Sequence, residues 1–199
     1  MRPLYASTGN LLPADGTAIL YPHFMIEEEA GELFTHLLAE IPSQQDKVTI
    51  FGKTHITARE VAWFGEDGLM YKYSGHTREA MPFTPALLLL KQRATEVTGS
   101  IYNSCLINLY HNGKEGMGWH ADNEKEIMEN SSIASISLGA ERRFDLKHNQ
   151  SGEKISVMLN PGSLLDMRDQ VQRYWKHSLP KSVKITEPRI NITFRHLNS

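Results

Sequence analysis

Residues 108–124 read NLYHNGKEGMGWHADNE, and the rest of the chain is understood from this stretch outward. It begins with the alternation of a strand, crosses a turn carrying Gly113, Gly116 and Gly118, and ends on His120-Ala121-Asp122. Side chains on extended backbone alternate faces, so a His and an Asp two positions apart point to one side. An imidazole nitrogen and a carboxylate oxygen so placed are two legs of the two-histidine, one-carboxylate set that holds Fe(II) with positions left open. Alone, H-x-D is common, and a His pairing with an Asp in a surface turn explains most of its occurrences.

The chain has 199 residues, enough for one domain with a core and too few for a second of full size. A hydrophobic content of 40% and a net charge of −2 exclude a global attraction to nucleic acid or anionic membrane, so any nucleic-acid surface must be local. The single cysteine, Cys105, excludes an internal disulfide and a cysteine-based metal site, and its apolar surroundings (CLINLY) predict a buried thiol. No apolar run reaches a membrane span, and the N-terminus lacks a charged-then-apolar signal. A reducing, cytoplasmic setting without a membrane partner is expected.

Pro3, Pro13 and Pro22 interrupt residues 1–24, which read as an irregular arm over the core. Residues 26–41 place Leu33, Phe34, Leu37, Leu38 and Ile41 at helical spacing, with acids in the first turn, and Pro42 ends them. Residues 84–99 are a second helix: Thr84 caps, Pro85 suits the first position, Gly99 terminates. Between them, 48–51, 56–64 and 71–75 read as strands of an insertion, 48–82, over a barrel mouth. From 104 onward short strands dominate: 104–110, 131–138, 142–148, 154–159, 162–167 and 189–197. Two helices followed by many short strands predict an α+β, mainly β fold, a double-stranded β-helix or jelly-roll barrel flanked by N-terminal helices. The expected organisation is one domain over 1–199, with arm and helix to 47 and barrel core at 100–197.

In the last strand Arg189, Asn191, Thr193 and Arg195 share one face, and Ile190, Ile192 and Phe194 the other. The polar face meets water, or it lines an anion pocket where arginine's planar fork matches carboxylate. Leu106, Asn108 and Tyr110 likewise share a face. A third metal ligand is needed, and His177, in QRYWKHSLP, attracts more interest than His23, His36, His55, His76, His111, His148 or His196, which read as surface residues.

The ordered set N-x-Y (108–110), H-x-D (120–122), SISLGA (135–140), PGSLL (161–165), WKHSLP (175–180) and PRINITFR (188–195) resembles the AlkB family of iron- and 2-oxoglutarate-dependent dioxygenases. The likeness covers about 48–197. It is strongest to the nucleic-acid demethylases acting on duplex DNA, through Ile50-Phe51-Gly52-Lys53 and the Tyr71–Gly75 segment. The resemblance implies His120, Asp122 and His177 as iron ligands, with O2 as co-reactant. It implies Asn108, Tyr110, Arg189, Asn191, Thr193 and Arg195 at the 2-oxoglutarate site, Arg189 toward the distal carboxylate and Arg195 nearer the metal. It also implies Tyr73 and the His120 ring against the target base, Glu124 as its acidic neighbour, and Tyr71, Phe51, Gly52 and Lys53 as further substrate contacts. Phe51 at a hairpin tip suits insertion into a base stack, and equally suits burial at a strand end. Lys53, Arg59, Arg142, Arg143, Lys147 and His148 are candidates for phosphate contacts; Arg142 and Arg143 face opposite ways, so at most one of them serves.

The implied function is oxidative demethylation of 1-methyladenine- and 3-methylcytosine-type lesions in alkylated DNA by a monomer, in the cytoplasm or with nuclear or nucleoid DNA. The same chemistry on RNA or protein is the alternative, together with a non-catalytic reader of alkylated nucleic acid.

Overall fold

In a computed structural model describing residues 5–50, 53–73 and 76–198, strands, nearly all of them antiparallel, are the main regular structure. In order these are β1 (Thr17–Tyr21), α1 (Glu27–Glu40), β2 (Gln44–Ile50), β3 (Lys53–Gly65), β4 (Met70–Tyr73), β5 (His76–Glu79), β6 (Met81–Pro82), α2 (Pro85–Thr98) and β7 (Ser104–Tyr110). There follow β8 (Met117–His120), β9 (Ile133–Gly139), β10 (Arg142–His148), β11 (Lys154–Leu159), β12 (Ser163–Arg168), α3 (Val171–Tyr174), β13 (Trp175–Leu179) and β14 (Arg189–Arg195). The large sheet runs β1-β12-β9-β14-β7-β3-β2, with β6 beside β3; a smaller sheet, β11-β10-β13-β8, faces it, and β4 pairs with β5. This is the jelly-roll arrangement that the strand pattern predicts.

Helix α2 starts and stops where local chemistry dictates. Thr84 accepts the Leu87 N–H at 3.3 Å, Pro85 opens α2, and Gly99 closes it at φ 70°, a conformation that glycine adopts without a Cβ penalty. The helices cover one face of the large sheet, where Leu37, Leu87, Leu90, Phe64, Cys105, Ile107, Ile190, Ile192 and Phe194 form one core layer. The other face closes on the small sheet around Leu20, Ile133, Phe144, Leu146, Leu165, Met167 and Trp175. Leu38, expected on the apolar face of α1, is 45% exposed and lies outside the core layer.

Several expectations change here. The arm is not wholly irregular: Thr17–Tyr21 pairs residue for residue with β12, and the Trp175 indole N–H donates to the Ala14 carbonyl at 3.1 Å. His148, expected at the surface, is buried, with Nε2 3.2 Å from Asp15 and Nδ1 2.9 Å from Ser151 Oγ, so it pins the arm to the β10–β11 hairpin rather than meeting phosphate. The 48–82 segment is also more than a cover, since Glu60–Gly65 pairs with β7 and extends the large sheet. No helix among the described residues is long and apolar enough to cross a membrane.

Arg142 is buried too, at 1% exposure, which removes it from the phosphate contacts. Its Nη2 donates to the Glu115 carbonyl at 2.8 Å and to the Pro180 carbonyl at 2.9 Å, tying together the turns on either side of β8 and β13. Arg142→Met leaves these carbonyls buried without donors, at about 1–3 kcal/mol each. Thermal scans are expected to show Tm lowered by about 5–15 °C; an unchanged Tm would mean that the turns hold without this tie.

Candidate active site

The alternation of three strands decides what the barrel encloses. Leu106, Asn108 and Tyr110 on β7, and Arg189, Asn191, Thr193 and Arg195 on β14, turn away from the helices into a cavity of about 180 Å³. Residues Arg59, Val61 and Trp63 of β3 join them, as do Met117, His120, Asp122 and Glu124 from the stretch 108–124, and His177 from β13. The polar face of β14 therefore lines a cavity rather than meeting bulk water.

His120 and His177 stand opposite each other in the β8–β13 register, their ring centroids 4.2 Å apart. Asp122 lies just beyond β8, and its backbone N–H donates to Gln172 Oε1 at 2.9 Å, which holds it in place without strand pairing. The Gly-rich turn permits this approach: a Cβ on Gly116 would meet the Leu179 carbonyl. His120, Asp122 and His177 thus offer one ligand atom each, all within 4.8 Å of one another.

Whether these three fit a cation can be read from their other partners. His120 Nδ1 faces the Gly118 carbonyl at 2.9 Å; a carbonyl only accepts, so Nδ1 is the donor there and Nε2 is the ring atom turned toward Asp122. That Nε2 is 3.6 Å from Asp122 Oδ1, and His177 Nε2 is 4.0 Å from it, both too long for hydrogen bonds. Burial, offset only partly by Asp122, pushes the His177 imidazole down to about 4, so it is neutral at pH 7. Burial alone would raise Asp122, but the Arg195 guanidinium, then the two imidazoles, hold its carboxyl down at about 2. Arg195 Nη2 donates to Asp122 Oδ2 at 2.8 Å, leaving Oδ1 turned toward the imidazoles. Two imidazoles and a charged carboxylate, their ligand atoms converging without mutual hydrogen bonds, are the donor set of an open iron site. Phe144, stacked 5.3 Å from His177, fixes the ring whose Nδ1 finds no hydrogen-bond partner among the described residues.

At the other end of the cavity Arg189 is 2% exposed. Burial lowers its guanidinium to about 10, still charged at pH 7; Tyr110 favours the charge and Arg142 opposes it. One nitrogen donates to Ser137 Oγ at 2.9 Å, while Nε has no partner among the described residues. A buried cation with a spare donor and no carboxylate partner among the described residues calls for an anion, and a dicarboxylate meets that requirement. Asn191 donates to Ser135 Oγ and the Ile136 carbonyl, and Thr193 donates to Asn191 Oδ1, so these two are oriented by the sheet.

Glu124 is half-buried and lines the cavity near the triad. Phe51 and Gly52 lie outside the described residues; Lys53 belongs to β3, and Tyr71 and Tyr73 to β4. Arg59, considered above for phosphate, is buried and donates to Asn108 Oδ1 at 2.9 Å, which makes it a wall of the cavity. Val61 and Trp63 share that wall; the period-two run Arg59, Val61, Trp63 against Ala62 and Phe64 carries the signal in the sequence.

Residues 17–195 match the model of the 2OG-Fe(II) oxygenase superfamily. The DNA oxidative demethylase ALKBH2 of Mus musculus is 36% identical over 197 residues, covering 94% of this chain and 82% of that protein. Its Homo sapiens counterpart is 36% identical over 195 residues, covering 92% and 75%. The alpha-ketoglutarate-dependent dioxygenase alkB homolog 3 of Bos taurus is 37% identical over 186 residues, covering 88% of this chain and 64% of that protein. Among solved structures, that of OsALKBH1 superposes with a TM-score of 0.66 over 93% of this chain and 99% of the other at 14% identity, a likeness of fold.

Proposed function

The chain belongs to the 2OG-Fe(II) oxygenase superfamily, and from that premise we propose that it removes methyl groups oxidatively from alkylated nucleic-acid bases. It is a dioxygenase using Fe(II), 2-oxoglutarate and O2, and its products are succinate, CO2, formaldehyde and the restored base. The observation that carries this reading is one cavity joining three metal-capable ligands, a buried arginine with a spare donor, and a carboxylate.

Each wall has a task. His120, Asp122 and His177 hold the iron, which with 2-oxoglutarate supplies the oxidising power. Arg195 keeps Asp122 charged and aimed, and Arg189 receives the far carboxylate of the cosubstrate. Asn108, Tyr110, Asn191 and Thr193 shape the space between. Glu124 faces the base: 1-methyladenine and 3-methylcytosine are cations at neutral pH, which a carboxylate and aromatic faces favour over unmethylated bases. Tyr73 and the His120 ring flank that base, with Tyr71 and Lys53 beyond. Residues 1–199 act as one catalytic unit and as a monomer.

Mass spectrometry of 1-methyladenine oligonucleotides incubated with and without iron and 2-oxoglutarate tests the reading directly. Loss of 14 Da per lesion only with both present is expected; intact lesions in every arm would overturn it. Phe51 separates the substrates. If it wedges into the base stack, it offsets an unstacking cost of a few kcal/mol that single strands largely avoid. Phe51→Ala is then expected to slow duplex repair far more than single-strand repair. Equal losses with a lowered Tm would return Phe51 to a packing role.

A further inference from the structure

Behind the cavity, where the last turn of α2 meets the large sheet, a chain of polar side chains is sealed from water. Asp166 of β12 shares the helix-facing side with Leu164 and is 0% exposed. Its Oδ1 lies 2.6 Å from Ser132 Oγ, and Ser132 Oγ lies 2.7 Å from the Tyr102 hydroxyl. That hydroxyl lies 2.8 Å from Thr98 Oγ1, which in turn lies 2.9 Å from the Ala94 carbonyl within α2. Thr98, Tyr102 and Ser132 are buried as well, and none of the chain lines the catalytic cavity.

The hydrogens available decide the state of the acid. Each link needs one hydrogen, and the chain ends on a carbonyl, which only accepts. Three hydroxyls supply three hydrogens for four links. With Asp166 ionised, one link therefore joins two oxygens with no hydrogen between them, where no water replaces the missing bond. With Asp166 protonated, every link is made in one direction: Asp166 donates to Ser132, Ser132 to Tyr102, Tyr102 to Thr98 and Thr98 to Ala94. The Ser100 N–H then takes the remaining lone pair of Thr98 Oγ1 at 3.2 Å.

The second carboxyl oxygen favours the same state. Oδ2 is buried and has no hydrogen-bond partner among the described residues. Arg168 Nε stands 3.7 Å from it, too far for a hydrogen bond, and Arg168 Nη1 donates instead to the Thr98 carbonyl at 3.3 Å. The other ionisable groups around the acid are Tyr21 of β1, Tyr102 and Asp169, which bring it no positive charge. Burial, outweighing Ser132 and Arg168, raises the Asp166 carboxyl above the ordinary carboxylate range.

We propose that Asp166 keeps its proton in the native chain at neutral pH and that this proton latches the end of α2 to β12, so that alkaline ionisation loosens the helix from the sheet. The sign follows from linkage. A carboxyl that holds its proton more tightly folded than unfolded contributes its full stability below the unfolded value of about 3.9 and loses it as pH rises toward the folded one. Inside that window each pH unit changes the folding equilibrium constant about tenfold.

The test compares urea unfolding of the full chain with that of Asp166→Asn, whose amide donates to Ser132 as the acid does and cannot ionise. Between about pH 5 and pH 7 the variant is expected to gain on the wild type by about tenfold in folding equilibrium constant per pH unit. Parallel pH dependences overturn the proposal. Deuterium exchange in residues 95–102 at alkaline pH is expected to be faster in the wild type than in Asp166→Asn at the same pH, and equal rates overturn the latch. Infrared spectra of wild-type protein carrying carbon-13 at its aspartate carboxyls remove any dependence on how the variant folds. A carbonyl band of a protonated carboxylic acid is expected at neutral pH. Carboxylate bands alone overturn the assignment, as does an acid band that persists in folded Asp166→Asn.

Discussion

Asp122→Ala is expected to abolish formaldehyde release from a 1-methyladenine oligonucleotide and to leave the purified chain unable to retain iron. The substitution removes the one anionic ligand of a three-ligand set, and it does so where two independent partners, Arg195 and Gln172, hold that ligand in position. It also takes from the Arg195 guanidinium, whose side chain is 11% exposed, the carboxylate to which it donates. Breaking such a pair from one side costs about 3–5 kcal/mol, so the variant is expected to melt earlier while remaining folded at room temperature. His120→Ala and His177→Ala are expected to lose turnover equally without that electrostatic cost. Iron content by mass spectrometry, circular dichroism and formaldehyde assay separate these effects. Wild-type turnover by metal-defined Asp122→Ala would remove the triad from the chemistry altogether.

The second large effect concerns the cosubstrate. Arg189→Leu is expected to raise the 2-oxoglutarate concentration needed for half-maximal rate by about one to two decades, the loss of a charge-assisted hydrogen-bonded pair worth roughly 1.5–3 kcal/mol. Arg189 is the cleaner probe of the two arginines, because Arg195 also serves Asp122 and its loss would confound metal and cosubstrate binding. Arg189→Lys keeps the charge and loses the planar fork, so it is expected to fall between wild type and Leu. A dependence of rate on 2-oxoglutarate that is unchanged in Arg189→Leu would mean that the buried guanidinium serves the fold alone.

The two long helices are legible in the sequence, and the ends of α2 most clearly, because Thr84, Pro85 and Gly99 act within one turn of the chain; the short strands β1, β5, β6 and β13 are not, because pairing partners remote in sequence define them. The polar face of β14 was legible as a pattern but not as a destination. Period-two alternation is the same for a cavity wall and a wetted strand, and only the facing small sheet distinguishes them. Arg142 and His148 were read as surface cations because the groups that make their burial tolerable are remote in sequence: the Glu115 and Pro180 carbonyls for one, Asp15 for the other. Arg59 failed for the same reason, its partner Asn108 lying 49 residues away. The pairing of His120 with Asp122 was anticipated on extended backbone, whereas β8 ends at His120 and Asp122 is fixed by side chains from α3 and β14.

Cys105 sits at the centre of the interlocked sheet, fully buried between α2 and the β3–β7–β14 ladders, and burial pushes its thiol pKa well up. It is also the chain's only sulfhydryl. A protonated, shielded thiol does not react with alkylating reagents, so labelling of the native chain proceeds through openings that lift α2 from the large sheet or part the sheet itself. The enzyme thus contains its own stopwatch for the layer behind the cavity: the labelling rate counts excursions that uncover the back of the strand carrying Asn108 and Tyr110.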